Sequence, residues 1–293
     1  MISQDWNKKD YQAEIKLDSD PNNSFLKQLD LIGEHKTVLE FGCATGYFSQ
    51  MLSAKGCTIT GVEINANAAK LAEQYCTKVI VADLDFTPLD EILSGQTFDV
   101  AVFGDVLEHL RDPWNILKNL KNYLNPGGFI VASIPNIAHG AVRLSLLQGN
   151  FNYQQYGILD NTHIRFFTKV TIDDMFEKSG YFLDALDRTK VSILSDSNLL
   201  PKFNKSDVIP AIIKTLELDE ESDTLQFVVR AYPESEQDRV AALLNKSSEL
   251  SRKCDKLTIR NNKLVEALSV ITTENKIIKK SKWWRMRTLF FKD

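Results

Sequence analysis

Residues 38–48, Val-Leu-Glu-Phe-Gly-Cys-Ala-Thr-Gly-Tyr-Phe, constrain the fold more than any other stretch. A short apolar run ends in an acid, a glycine-rich turn follows, and an amphipathic run (Tyr47, Phe48, Met51, Leu52) begins. That is the pattern of a buried parallel strand entering a helix through a tight loop. Gly42 and Gly46 permit backbone angles that a β-carbon forbids and let a ligand approach the main chain. The spacing excludes the phosphate-cradling G-x-x-x-x-G-K-[ST] loop, because no Lys follows Gly46, and it excludes G-x-G-x-x-G, because position 44 is Ala. An acid at the strand end points to a ligand with a positive group, not to a pyrophosphate.

Strand and helix then alternate. Strands are predicted over 37–41, 57–64, 78–82, 98–103 and 129–134, and helices over 47–55, 66–75, 88–93 and 113–124. Strict alternation of this kind gives a parallel sheet with helices on both faces. Asn125-Pro126-Gly127-Gly128 reads as a turn before the fifth strand. An irregular insert over 135–167 follows, then a helix over 172–179 and two late strands near 182–187 and 225–232. Residues 191–223 are rich enough in Leu and Ile to pack, in no predicted arrangement, and residues 1–36 are a polar lead-in with one helix near 24–32.

After Pro233 the character changes. Val240, Leu243, Ser247, Leu250, Cys254, Leu257, Asn261, Leu264, Leu268, Ile271, Asn275 and Ile278 fall on alternating steps of three and four. Leu or Ile fills every d position, so residues 236–280 are predicted to form a coiled coil that assembles the chain into a homo-oligomer. The competing reading is one long helix packed on its own domain, but so narrow a stripe buries little against a globular surface. Residues 281–293 interleave bases with large apolar side chains around Trp283-Trp284-Arg285. Such a segment suits a membrane interface or a protein partner as well as a disordered end.

Composition bounds the function classes. The chain has 293 residues, room for one domain (37–233) plus an extension, and its net charge of −4 gives no reason to expect nucleic acid as a partner. The four cysteines, Cys43, Cys57, Cys76 and Cys254, form no C-x-x-C pair, so neither a disulfide framework nor a metal–thiolate site is expected, and no metal site follows from spacing. Met1–Asp20 lacks the apolar core of a secretion signal, and no apolar run reaches the roughly 18 residues of a spanning helix. A cytoplasmic protein is expected, and peripheral attachment to the membrane's inner face is one of the readings open to the tail, beside docking on a partner protein and a disordered end.

The glycine turn resembles motif I of the class I S-adenosylmethionine (SAM) dependent methyltransferases. The resemblance implies a Rossmann-like, doubly wound α/β sheet of seven strands, with the two late strands as an antiparallel edge hairpin. It implies SAM as cofactor, held around Gly42, Cys43, Ala44 and Gly46, with Glu40 assigned to the cofactor's ammonium group. Strand-end positions meet the remaining demands. Glu63, about 20 residues past the turn, suits the two ribose hydroxyls. Asp83 suits the adenine amino group, and Leu84 can cover the ring. Gly104 and Asp105 fall where that family lines the methionine part. Ala44 departs from the family's usual Gly, which implies a tighter fit without loss of binding. Two rivals remain: a nicotinamide dehydrogenase, disfavoured by the missing G-x-G-x-x-G, and a non-catalytic coiled-coil scaffold that senses SAM.

For the acceptor side, His139 directly after the fifth strand and His163 in Asp160–Phe167 are candidate bases, since methyl transfer to oxygen needs a hydroxyl to lose its proton. Arg165, beside them, could hold a sugar or phosphate. Structural roles compete: Glu108-His109 could cap the next helix, and Arg165 could pair with Asp160. Residues 133–139 and 157–168 are similar to the ubiquinone-biosynthesis O-methyltransferases and to enzymes of bacterial O-antigen and capsule assembly. That likeness implies an O-methyltransferase acting on a sugar or glycan intermediate of surface polysaccharide, with a small quinone-type precursor as the alternative acceptor. In some quinone-type relatives a cluster matching Asp105, Glu108 and His109 helps hold a divalent metal.

Overall fold

The structure is a computed structural model and describes residues 20–280. Most of the polar lead-in and all of the basic aromatic tail over 281–293 lie outside the described residues. Contacts group the chain into two compact units, 1–239 and 240–293.

The first unit is a seven-stranded sheet: β1 (Thr37–Phe41), β2 (Thr58–Glu63), β3 (Lys78–Val81), β4 (Phe98–Gly104), β5 (Leu124–Pro135), β6 (Tyr181–Lys190) and β7 (Thr224–Pro233). Their spatial order is β3-β2-β1-β4-β5-β7-β6. The first five run parallel, and β7 pairs antiparallel with both β5 and β6. The helices are α1 (Ser24–Ile32), α2 (Tyr47–Ala54), α3 (Ala66–Ala72), α4 (Leu89–Leu93), α5 (Pro113–Leu120), α6 (Gly140–Leu147), α7 (Lys169–Lys178) and α8 (Pro210–Glu217). This is the expected doubly wound fold with its antiparallel edge hairpin. The chain leaves β1 on one side for β2 and later returns on the other for β4. Their carboxyl ends therefore bracket the crevice in which doubly wound sheets bind ligands.

The core lies around the middle of the sheet. Leu39, Phe41, Phe103, Ala132, Ile134 and Phe227 are all fully buried, and the Phe41 and Phe103 rings stack at 4.6 Å between neighbouring strands. The continuous apolar runs of β1, β4 and β5 follow from burial on both faces.

Three departures from the sequence expectations have local causes. The 125–128 turn is absorbed into β5, whose register against β4 shifts between Phe98 and Val100. The insert over 135–167 contains α6, whose apolar residues lack a clean helical stripe. It is capped by a residue that rarely caps, His139, whose side chain accepts from the Ala141 N–H. The unassigned stretch over 191–223 contains α8, which opens with Pro210 at its first position but has no side-chain cap to announce it.

The second unit belongs to α9 (Glu236–Lys280), a helix of 45 residues over the predicted span. At 1.5 Å per residue it is roughly 67 Å long. Leu243, Leu250, Leu257, Leu264 and Ile271 are each more than half exposed along it.

Candidate active site

The glycine hinge closes the loop between β1 and α2. Gly42, at φ +68°, donates its N–H to the Val62 carbonyl at 2.7 Å, and a β-carbon there would meet Val106 Cγ2 at 2.7 Å. Gly46 caps α2 in the left-handed region, and a β-carbon there would strike the Ala72 backbone at 2.8 Å. Ala44 is also left-handed, at φ +46°, a conformation that costs a residue with a β-carbon about 1–2 kcal/mol.

Two loops converge on Glu63. One carboxylate oxygen accepts the Ala44 N–H at 2.8 Å, and the other accepts the Asn65 N–H at 2.9 Å. Each oxygen keeps a second lone pair, so the carboxylate can still accept from a diol while it fixes the motif loop. Asp83 caps the turn after β3 by accepting the Asp85 N–H at 3.0 Å, with Leu84 half-buried beside it. Gly104 ends β4. Asp105, at φ +55°, receives Ser133 Oγ at 3.0 Å and Gln226 Nε2 at 2.7 Å on one carboxylate oxygen. Glu40 is buried in β1 and accepts the Ser49 hydroxyl at 2.6 Å; burial raises its pKa to about 8. Cys43 is buried under the loop, and its thiol pairs with that of Cys76; that pairing, more than burial, holds Cys43 protonated. The cofactor candidates thus gather around the crevice beside β1, β2 and β4.

One residue of this crevice has no sequence signal. Gln28 of α1 is fully buried, and among the described residues neither atom of its side-chain amide has a hydrogen-bond partner. A β-carbon on Gly104 would lie 3.7 Å from its Oε1 and 3.9 Å from its Nε2. A lone glutamine on an amphipathic helix does not stand out from surface glutamines. Only the turn of α1, fixed by its Asn23 cap and by Phe25 packing on Tyr47 and Phe48, aims it inward.

On the acceptor side the structure separates the histidines. His139 is buried with both nitrogens committed: Nε2 to the Val191 carbonyl at 2.9 Å, Nδ1 accepting the Ala141 N–H at 3.1 Å. Burial lowers its pKa, so it stays a neutral cap, and the expectation that it is a base is corrected. Arg165 does not pair with Asp160. Its guanidinium turns to the Arg111 carbonyl and stacks over Trp114 at 5.6 Å, while Asp160 accepts from the Thr162 N–H at 2.8 Å. Through Nε and Nη2 Arg165 braces the insert against the Arg111 carbonyl.

His163 is placed differently. Its ring lies 4.8 Å from that of His109, and its Nε2 lies 3.8 Å from Glu108 Oε1. Glu108, His109 and His163 bring one donor atom each within 4.8 Å of one another. Burial, then the Asp105 charge, pushes the Glu108 carboxyl well above the usual range. The metal set implied by resemblance is not assembled, because Asp105 turns to Ser133 and Gln226 instead. An aromatic shelf adjoins the cluster: Phe166 lies 6.3 Å from His163, and Phe151 and Tyr153 pack on Phe166 at 5.8 and 6.5 Å.

A family model described as a methyltransferase domain matches residues 15–186. The chain is 26% identical over 200 residues to a ubiquinone biosynthesis O-methyltransferase of Hydrogenovibrio crunogenus, covering 63% of this chain and 81% of that one. It is 27% identical over 152 residues to the like-named enzyme of Actinobacillus pleuropneumoniae serotype 5b, covering 45% of this chain and 65% of the relative. A SAM-dependent methyltransferase structure from Archaeoglobus fulgidus superposes with a TM-score of 0.49 at 18% identity, covering 71% of this chain and 94% of that one. The family match spans more than half of the sequence and most of the seven-stranded sheet. The chain therefore belongs to the methyltransferase-domain family and is a SAM-dependent methyltransferase.

Proposed function

We propose that the enzyme transfers the SAM methyl group to a hydroxyl oxygen of a small aromatic acceptor of the quinone-precursor type. The observation that carries this reading is the Glu108–His109–His163 cluster with its aromatic shelf, just past the end of β4. Transfer to oxygen is an in-line displacement at the sulfonium methyl, and it needs an oxygen that sheds its proton as the new bond forms. The cluster supplies titratable groups for that proton, and Phe151, Tyr153 and Phe166 supply ring faces for a planar acceptor. SAM would be held with its ribose on Glu63, its adenine by Asp83 and Leu84, and its methionine end toward Glu40, Gly104 and Asp105; the order of these residues at the strand ends supports that reading.

The glycan acceptor expected from the sequence draws no support from the named relatives, which favour the quinone-type alternative. Association of chains through α9 is part of the same proposal: the apolar d positions are exposed along a single helix. Radiolabelled SAM, offered with a panel of catechols and prenylated phenols and with a cell-envelope glycan extract, tests the acceptor. Label in the phenols alone is expected; label in the glycan fraction alone overturns the reading.

A further inference from the structure

We propose that Cys43 and Cys76 form a redox modification site, a thiol pair that a peroxide converts to a disulfide and whose closure weakens SAM binding. The proposal concerns the cofactor alone and holds whatever the acceptor. The two residues are far apart in sequence and belong to no cysteine spacing motif, yet the fold pairs their thiols under the glycine hinge. Cys43 lies in the loop between β1 and α2, and Cys76 follows α3.

A glycine makes the room for them. Gly61 stands inside β2, where a glycine weakens the strand and marks a close approach. A β-carbon there would lie 2.7 Å from Cys43 Sγ and 3.4 Å from Cys76 Sγ, so both sulfurs fill the space that the missing side chain leaves. The two thiols share a hydrogen bond, and Cys76 also bonds the Ser49 hydroxyl. Ser49 in turn donates to Glu40, the register partner of Gly61 on β1. Farther along the loop, a β-carbon on Gly46 would meet the ring of Tyr75, the neighbour of Cys76, at 2.9 Å. The hinge loop and the end of α3 therefore touch both at Gly46 and at a pair of sulfurs.

The thiols are unequal, and that sets the order of steps. Cys43 is 2% exposed, whereas Cys76 is only half-buried and open to a small oxidant. The Cys43 S–H, and after it the Ser49 hydroxyl, favours the Cys76 thiolate and holds that thiol below its usual pKa range. The thiolate is the nucleophile. Cys76 Sγ attacks one oxygen of hydrogen peroxide; an S–O bond forms, the O–O bond breaks, and a sulfenic acid and a water result. Cys43 Sγ then attacks the Cys76 sulfur. An S–S bond forms, the S–O bond breaks, and the departing hydroxide takes the Cys43 proton as a second water. The electrons that reduce the peroxide come from the thiol pair. An S–S bond of about 2.05 Å is far shorter than a contact between thiols, so closure draws the hinge loop toward α3. That shift disturbs the Ala44 N–H bond to Glu63, 2.8 Å long in the open form, and with it the face of the loop presented to SAM.

Treatment of the full chain with a small excess of hydrogen peroxide tests the site. The chain carries Cys254→Ser, since that exposed thiol would otherwise join chains. Non-reducing peptide mapping should find a peptide pair linking Cys43 to Cys76, lighter by the hydrogens of both thiols. Calorimetry should show SAM affinity at least about fivefold lower after oxidation and restored by dithiothreitol. By reciprocity, saturating SAM should shift a glutathione-buffered redox titration toward the dithiol by the same factor. Cys76→Ser should bind SAM like the reduced parent and keep that affinity after peroxide. Absence of the Cys43–Cys76 link, unchanged SAM affinity in the linked protein, or an equal peroxide-induced loss in Cys76→Ser overturns the proposal. A chain that forms the link, loses SAM affinity with it and methylates no phenol when reduced sinks the acceptor reading alone.

Discussion

Gln28 carries two polar atoms in a dry place. Leaving a buried donor or acceptor unmet costs about 1–3 kcal/mol, and nothing in the packing around Gly104 returns it. The zwitterionic end of SAM would return it, because an amide both donates to a carboxylate and accepts from an ammonium. Gln28→Leu should therefore stabilise the cofactor-free protein, read as a higher Tm. It should weaken SAM about tenfold, roughly 1.4 kcal/mol, by calorimetry. A variant that loses stability and keeps its SAM affinity makes Gln28 a packing residue. Residue-level legibility was uneven in a way that follows from this chemistry. The positions of Gly42, Gly46 and Glu63 could be read directly, because a glycine hinge between strand and helix and an acid ending the next strand are local in sequence. Gln28 and the union of His109 with His163 depend on how α1 and the insert fold back, and spacing along the chain does not encode that.

At the scale of elements, the insert is organised by its cap. His139 closes α6, ties it to the Val191 carbonyl and sits next to Asn136. The Asn136 side-chain amide donates to the Glu221 and Thr224 carbonyls at 3.0 and 2.9 Å. His139→Ala removes two buried hydrogen bonds and should cost about 2–4 kcal/mol by denaturant unfolding, with SAM affinity unchanged. His139→Asn, which can cap but not reach Val191, should recover part of that loss. Equal stability of both variants and wild type would remove the structural role. The regular α/β elements were legible because short apolar runs alternated with amphipathic ones along the first five strands, with turn residues between them. The insert and the 191–223 stretch were not, because their hydrophobic residues serve small clusters such as Ile158, Leu159 and Leu200, whose order in space differs from their order in sequence.

For the whole molecule, the unexplained investment is α9. An isolated helix of 45 residues with a narrow apolar stripe and Asn261 on it has little reason to hold its length alone in water. Its heptads supply one: Leu at d with a polar a residue specifies register and favours a parallel pair. Self-association would bring two catalytic units into one particle without altering either site, since the cofactor crevice and the Glu108 cluster are built within residues 28–226. Light scattering should therefore give at least a dimer for the full chain and a monomer for a truncation after Pro233. The truncated protein should keep its SAM affinity, because no cofactor candidate lies beyond Gln226. Replacing Leu250 and Leu257 with Glu in the full chain separates the two possible uses of the helix. Dissociation to a monomer with an unchanged melting temperature assigns the stripe to a partner chain. An unaltered mass with a lower melting temperature assigns it to the chain's own domain.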